Sequence, residues 1–236
     1  NFRKSMGKFT RQNNEYYTGR AMLNLARCYC DIGDSMKALK YLENAENICI
    51  KFQEPLILGR IKWIHGRILR LMNEYKKAIE QFKISIDYFK EGELRKPTMD
   101  GLMEIMLVEI ATGNFINLSK LLIEYSKIAK KLSDSEQYLG FIDCIHYLLN
   151  AYNNETNNIS LNDIEIFLDK MILSEDKYIG WWVLQKAVFI ENNNEKLSLY
   201  HFKASEIIYQ LADTIGKDTY RESFLKKHPI VDIIKF

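Results

Sequence analysis

Two cysteines separated by one residue, Cys28 and Cys30, and four histidines are the first side chains here that could do chemistry. On a helix, positions i and i+2 lie about 200° apart around the axis, so these two thiols cannot share one metal ion. Cys144 and His146 have the same spacing and face apart for the same reason. His65, His146, His201 and His228 fall one to a region. A hydrolytic nucleophile needs a base within hydrogen-bond reach and an acid to orient that base, and no local spacing supplies the trio. There is no glycine-rich phosphate loop, Walker pattern or dinucleotide fingerprint. The sequence therefore predicts no enzyme, no metal site and no cofactor.

Arginine gives the stronger signal. Arg20 and Arg27, then Arg60, Arg67 and Arg70, recur at spacings that share one helical face, with Trp63 among them. A planar guanidinium binds carboxylates through paired hydrogen bonds, so the set suits an acidic segment or a C-terminal carboxylate. Trp63 would add the apolar area typical of interface anchors. Farther along, the equivalent stripe carries Asp100 and Leu107, and then the more apolar Tyr147, Trp182 and Phe189. The competing arrangement is that these arginines pair with acids on adjacent helices or simply solvate the surface.

The elements that would position these residues are helices in a repeat. One copy reads Ala26, Tyr29, a turn at Gly33-Asp34, Ala38, Leu42 and Ala45. A second reads Gly66, Leu69, a turn at Asn73 to Tyr75, Ala78, Phe82 and Ser85. A third, weaker copy reads Met106, Glu109, a turn at Gly113 to Phe115, Leu118 and Leu122. The anchors 26, 66 and 106 are 40 residues apart. The next step lands on His146 with Leu149 following, in a helix expected over about Glu136 to Tyr152. Its turn is swollen by Asn153 to Asn158, and the partner helix should restart near Leu161, capped by Ser160. A fifth copy runs through Trp181, Leu184, Val188, a turn at Asn192 to Asn194, Leu197 and Ala204. Small residues at the crossing point let two helix backbones approach, and the large ones fill the groove to the next pair.

These residues resemble tetratricopeptide repeats: Gly33, Ala38 and Ala45 in copy one, and Gly66, Tyr75, Ala78 and Phe82 in copy two. Trp181, three residues before Leu184, also falls where that family often has Trp. The period is longer than the family's usual 34, and the usual proline at the repeat end is missing. The long period is similar to the repeat arms of bacterial signalling and regulatory proteins. The resemblance implies an all-α superhelix, or solenoid, of about five helical hairpins that binds a protein or peptide in its concave groove. It also implies a scaffold, or the sensor or docking arm of a larger signalling protein, with a bacterial peptide or small-ligand sensor as the alternative. Asn24 fits one place of the carboxylate clamp found in some members, and the other clamp places do not match. Tyr220 to Leu225, followed by His228-Pro229-Ile230, resembles the tail that closes such arms, with Phe224 and Leu225 folding onto the last groove. The expected division is a linker over 1–14, repeats over 15–213 and a capping segment over 214–236.

The bulk composition agrees. Apolar residues make up 47% and charged residues 27%, which suits a packed chain and not a disordered one. Only 3 prolines and 11 glycines in 236 residues are too few turn formers for a β-sandwich of this size. A net charge of +2 argues against nucleic acid as the main partner. A chain this long needs no disulfide framework, so the four cysteines are expected to be reduced thiols of the cytoplasm. No apolar run approaches the roughly 18 residues that cross a membrane. The N-terminal Asn1-Phe2-Arg3-Lys4 has neither a signal-peptide core nor an initiator Met, so the chain is expected to be part of a longer parent.

Overall fold

In the computed structural model, residues 2–132, 136–156, 158–172 and 174–227 are described. His228, Pro229 and Ile230 of the tail, and Asn157 of the long turn, lie outside them. The described residues are all-helical. In order they form α1 (Phe2–Arg11), α2 (Glu15–Asp31), α3 (Ser35–Cys49), α4 (Pro55–Leu71), α5 (Tyr75–Glu91) and α6 (Arg95–Thr112). These are followed by α7 (Leu118–Ala129), α8 (Glu136–Asn153), α9 (Leu161–Lys170), α10 (Glu175–Ile190), α11 (Asn194–Asp213) and α12 (Asp218–Lys227).

The helices stop at a regular beat. Asn13, Gly33, Gln53, Asn73, Glu93 and Gly113 all take positive φ, and they are 20 residues apart. Each helix with its turn is thus 20 residues long, and two of them make the 40-residue period. At Gly33 the turn closes with the Asp34 N–H donating to the Tyr29 carbonyl at 2.8 Å. The same six-residue closure recurs from Asn14 to Phe9, Glu74 to Leu69, Leu94 to Phe89 and Asn114 to Glu109. Gly33 adopts this left-handed conformation without the Cβ clash other residues meet. The residue after the turn then caps the following helix. Asn14, Asp34 and Asn193 each accept a hydrogen bond from the backbone N–H three residues on. Ser160 caps α9 in the same way, as the sequence predicts.

Burial follows the same period. Ala38, Ala78 and Leu118 are all fully buried, as are Leu42, Phe82 and Leu122 one helical turn later. Close approach at two glycines sets how α4 and α5 pair. A Cβ added to Gly66 would lie 2.5 Å from the Phe82 ring, and one added to Gly59 would collide with Phe89. The start of α4 therefore meets the end of α5, so the two run antiparallel. Gly19 meets Cys49 and Ile48 at the same place in the α2–α3 pair.

The chain divides into two compact units, at Val108 and Glu109 within α6. Unit 1 runs up to Val108 and takes in the stretch from Lys217, so α12 belongs with it. Its core is built from α2, α3 and α4, with Ala26, Leu42, Ile61 and Ile68 at the centre. Tyr220 of α12 sets its ring edge-on to Tyr29, 6.1 Å between centroids, and lies 5.5 Å from the Lys37 ammonium. Sequence reading expects α12 to close the last groove, whereas Tyr220 makes these contacts with α2 and α3. Unit 2, Glu109–Gly216, packs α10 against α8 and α11. The Trp181 ring lies 5.3 Å from that of Tyr200, and a Cβ on Gly140 would strike Phe167. Among the described residues no helix is long and apolar enough to cross a membrane.

Candidate functional site

Five of the seven site residues expected in the N-terminal half come together in unit 1. Arg20, Asn24 and Arg27 on α2, with Arg60 and Trp63 on α4, line one hollow with Leu23, Ile57 and Asp100. Its volume is about 100 Å³. Each helix contributes residues three, four and seven apart, which is how two neighbouring helices present parallel stripes to one cleft. A hollow of this size admits a carboxylate or a short acidic side chain.

The charges in this cleft are crowded. The Arg60 guanidinium is held below its ordinary pKa, first by desolvation and then by Arg27 and Arg20 beside it, with Asp100 and Glu54 opposing. Arginine does not lose its proton in a protein, so the direction reports partial desolvation first and only then the like-charged neighbours, whose repulsion an anion would relieve. Among the described residues neither Arg27 nor Arg60 makes an ion pair. Arg20 is held in place differently. It lies over the Tyr16 ring at 5.4 Å and donates to the Tyr16 hydroxyl at 3.4 Å, and that hydroxyl donates to Glu54 at 2.6 Å.

Arg67 and Arg70 differ from the other three. Arg67 is buried and lies 2.7 Å from Asp31 and 3.1 Å from Glu104. Arg70 lies 3.1 Å from the other oxygen of Glu104. Their charge is already compensated inside the protein, which is the adjacent-helix pairing weighed above. Neither lines the hollow, so both leave the open cationic set. Arg67 still touches the cleft indirectly, because its guanidinium stacks 4.9 Å from the Trp63 ring and helps fix that side chain.

The three apolar residues expected in the C-terminal half lie in unit 2 and do not gather in one site. Tyr147 is buried, and its hydroxyl donates to Glu191 at 3.2 Å. Burial first, then Glu191, pushes its pKa up to about 12. Trp182 is half-buried beneath the Lys186 ammonium, 5.9 Å from the ring centroid. Phe189 is 61% exposed and lines a second hollow with Gln185, Lys186, Leu197, Ser198 and His201. Sequence reasoning missed that α11 supplies half of this hollow, since it sought binding residues on the first helix of each pair only.

The four cysteines are free thiols, and Cys30, Cys49 and Cys144 are buried. Among the described residues no group of three or more potential metal ligands comes together. No family model matches the chain, and no curated protein sequence matches it.

Proposed function

We propose that this chain is a helical repeat of the tetratricopeptide type, a scaffold or docking arm that binds an acidic protein segment in the cleft of unit 1. The observation that carries the reading is the convergence of Arg20, Arg27 and Arg60 on one small hollow beside Trp63, with Arg60 repelled by the other two. An acidic side chain or terminal carboxylate entering there would form charge-assisted hydrogen bonds, each worth about 1.5–3 kcal/mol. The ring of Trp63 would cover the apolar part of the incoming segment. The 40-residue recurrence of buried positions and the 20-residue beat of helix ends support the repeat assignment. The same reading makes the chain one arm of a larger, cytoplasmic signalling protein without catalytic activity of its own.

The test is capture from cell lysate at low and moderate salt, comparing the chain with a variant carrying Arg20→Glu, Arg27→Glu and Arg60→Glu. A partner held by the first, lost by the second and weakened by salt supports the proposal. Equal capture by both contradicts it.

A further inference from the structure

The arginine cleft of unit 1 holds more positive charge, and more donors, than one carboxylate can use. Arg20, Arg27 and Arg60 line it, and Asp100 is the one carboxylate among the lining residues. Three guanidinium groups against one carboxylate leave two positive charges. Glu54 adds little, because its carboxylate already accepts from the Tyr16 hydroxyl at 2.6 Å. The donors are within reach of an incoming group. Arg27 and Arg60 are exposed, and Arg20 is half-buried. Among the described residues neither Arg27 nor Arg60 spends its charge on an ion pair.

The acids that could enter differ in charge and in shape. A glutamate side chain or a chain terminus brings one negative charge on two oxygens that lie in a plane. A phosphate monoester brings about −1.5 to −2 at pH 7 and three acceptor oxygens. A guanidinium presents a rigid fork of N–H donors that matches phosphate as well as carboxylate. The forks here number three and come from two helices, Arg20 and Arg27 from α2 and Arg60 from α4. Phosphate can give each fork an oxygen of its own, whereas a carboxylate offers two oxygens to three forks. Its dianion also balances the two surplus charges, of which a carboxylate leaves one. The half-buried Trp63 beside the arginines gives the chain that carries the phosphate an apolar surface to lie on.

We propose that this cleft reads phosphate, taking a phosphoserine or phosphothreonine side chain of a partner protein in preference to glutamate. The inference rests on the acidic-segment reading given above and names which acid the cleft selects. Phosphorylation of the partner would then switch docking on, by adding the charge and the third oxygen that the arginines can use.

The probes are three labelled peptides that share one glutamate-containing sequence and differ at a single central residue, which is phosphoserine, glutamate or serine. Each is titrated by fluorescence anisotropy into the full chain, into the Arg20→Glu, Arg27→Glu, Arg60→Glu variant, and into Arg60→Lys, which keeps the charge and loses the fork. Inorganic phosphate is added as a competitor. The phosphoserine peptide is expected to bind at least about tenfold more tightly than the glutamate peptide. Arg60→Lys should narrow that ratio, and the triple variant should abolish it. Inorganic phosphate should displace the phosphoserine peptide only at concentrations far above that peptide's Kd. Equal affinity for the phosphoserine and glutamate peptides, both lost in the triple variant, would overturn this inference and leave the acidic-segment reading standing. Displacement by inorganic phosphate at concentrations near the peptide's Kd would assign the site to free phosphate and overturn the choice of a protein segment. Binding of none of the peptides, or equal binding by the triple variant, would overturn both readings.

Discussion

Arg67 and Arg70 share one carboxylate, each lying 3.1 Å from an oxygen of the buried Glu104. This pairing divides the arginines of α4 into two kinds, since Arg60 on the same helix faces the cleft with no such partner. Removing one member of a buried ion network strands the others, at about 3 kcal/mol or more. Glu104→Gln is therefore expected to lower the urea unfolding free energy by about 3 kcal/mol. Asp31→Asn, at a half-exposed site, should cost about 1 kcal/mol or less. A Glu104→Gln loss no larger than that of Asp31→Asn would contradict the compensated network.

The glycine at the α4–α5 crossing should resist enlargement. With a Cβ placed 2.5 Å from the Phe82 ring, Gly66→Ala is expected to destabilise by about 1–3 kcal/mol through overpacking. Phe82→Leu in the same chain should return part of that loss, so the double variant falls short of the sum. Gly7→Ala is the control. Nothing lies within 4 Å of its added Cβ, and a helix-interior Ala should gain about 0.5–1 kcal/mol. Denaturation midpoints that move the same way for both glycines would sink this packing account.

The 20-residue beat of left-handed residues makes a separate prediction. Glu93 sits at φ 53°, where a side chain with a Cβ costs roughly 1–2 kcal/mol. Glu93→Gly should raise thermal stability by about 0.5–1 kcal/mol after the entropy of the freer unfolded chain is counted. Gly33→Ala, at φ 77°, should lower it by about 1 kcal/mol. Calorimetry on the pair reads the opposite signs directly, and a loss on Glu93→Gly would contradict the turn geometry.

Thiol chemistry follows burial. Desolvation pushes Cys30 up to about 12 and Cys49 up to about 11 from an ordinary 9.0. The native state therefore keeps these protons at a pH where the unfolded chain has lost them. Their stabilising contribution is complete below the unfolded value of 9.0 and declines as pH rises from there through about 11–12. Unfolding midpoints should fall between pH 9 and 11. A thiol reagent at pH 8 should label Cys28 alone, and slowly, until denaturant releases the rest. Rapid labelling of all four in the folded chain would contradict the buried assignments.

Much of this fold is written in residue types that burial makes obligatory. Ala38, Ala78 and Leu118 can be found in the sequence because a crowded buried position tolerates few side chains. The helix-end beat is harder to see, because Asn, Gln, Glu and Gly all occupy it and no single letter marks the turn. The arginine stripe is legible as a helical face, and Arg20, Asn24, Arg27, Arg60 and Trp63 do line one hollow. That Arg67 and Arg70 are neutralised is not legible, since Glu104 approaches from α6 and nothing in local spacing announces that packing. The contact of Tyr220 with Tyr29 hides for the same reason, joining residues nearly at opposite ends of the chain.

The most direct measurement is fluorescence anisotropy of a labelled, glutamate-rich peptide with a free C-terminus, titrated with the chain and with its Arg20→Glu, Arg27→Glu, Arg60→Glu variant. The account predicts saturable binding that weakens as salt rises, is reduced at least about tenfold in the variant, and is absent for the matching glutamine peptide with an amidated end. Equal binding of both peptides, or of the peptide to both proteins, would contradict an anion-reading cleft formed by these three arginines.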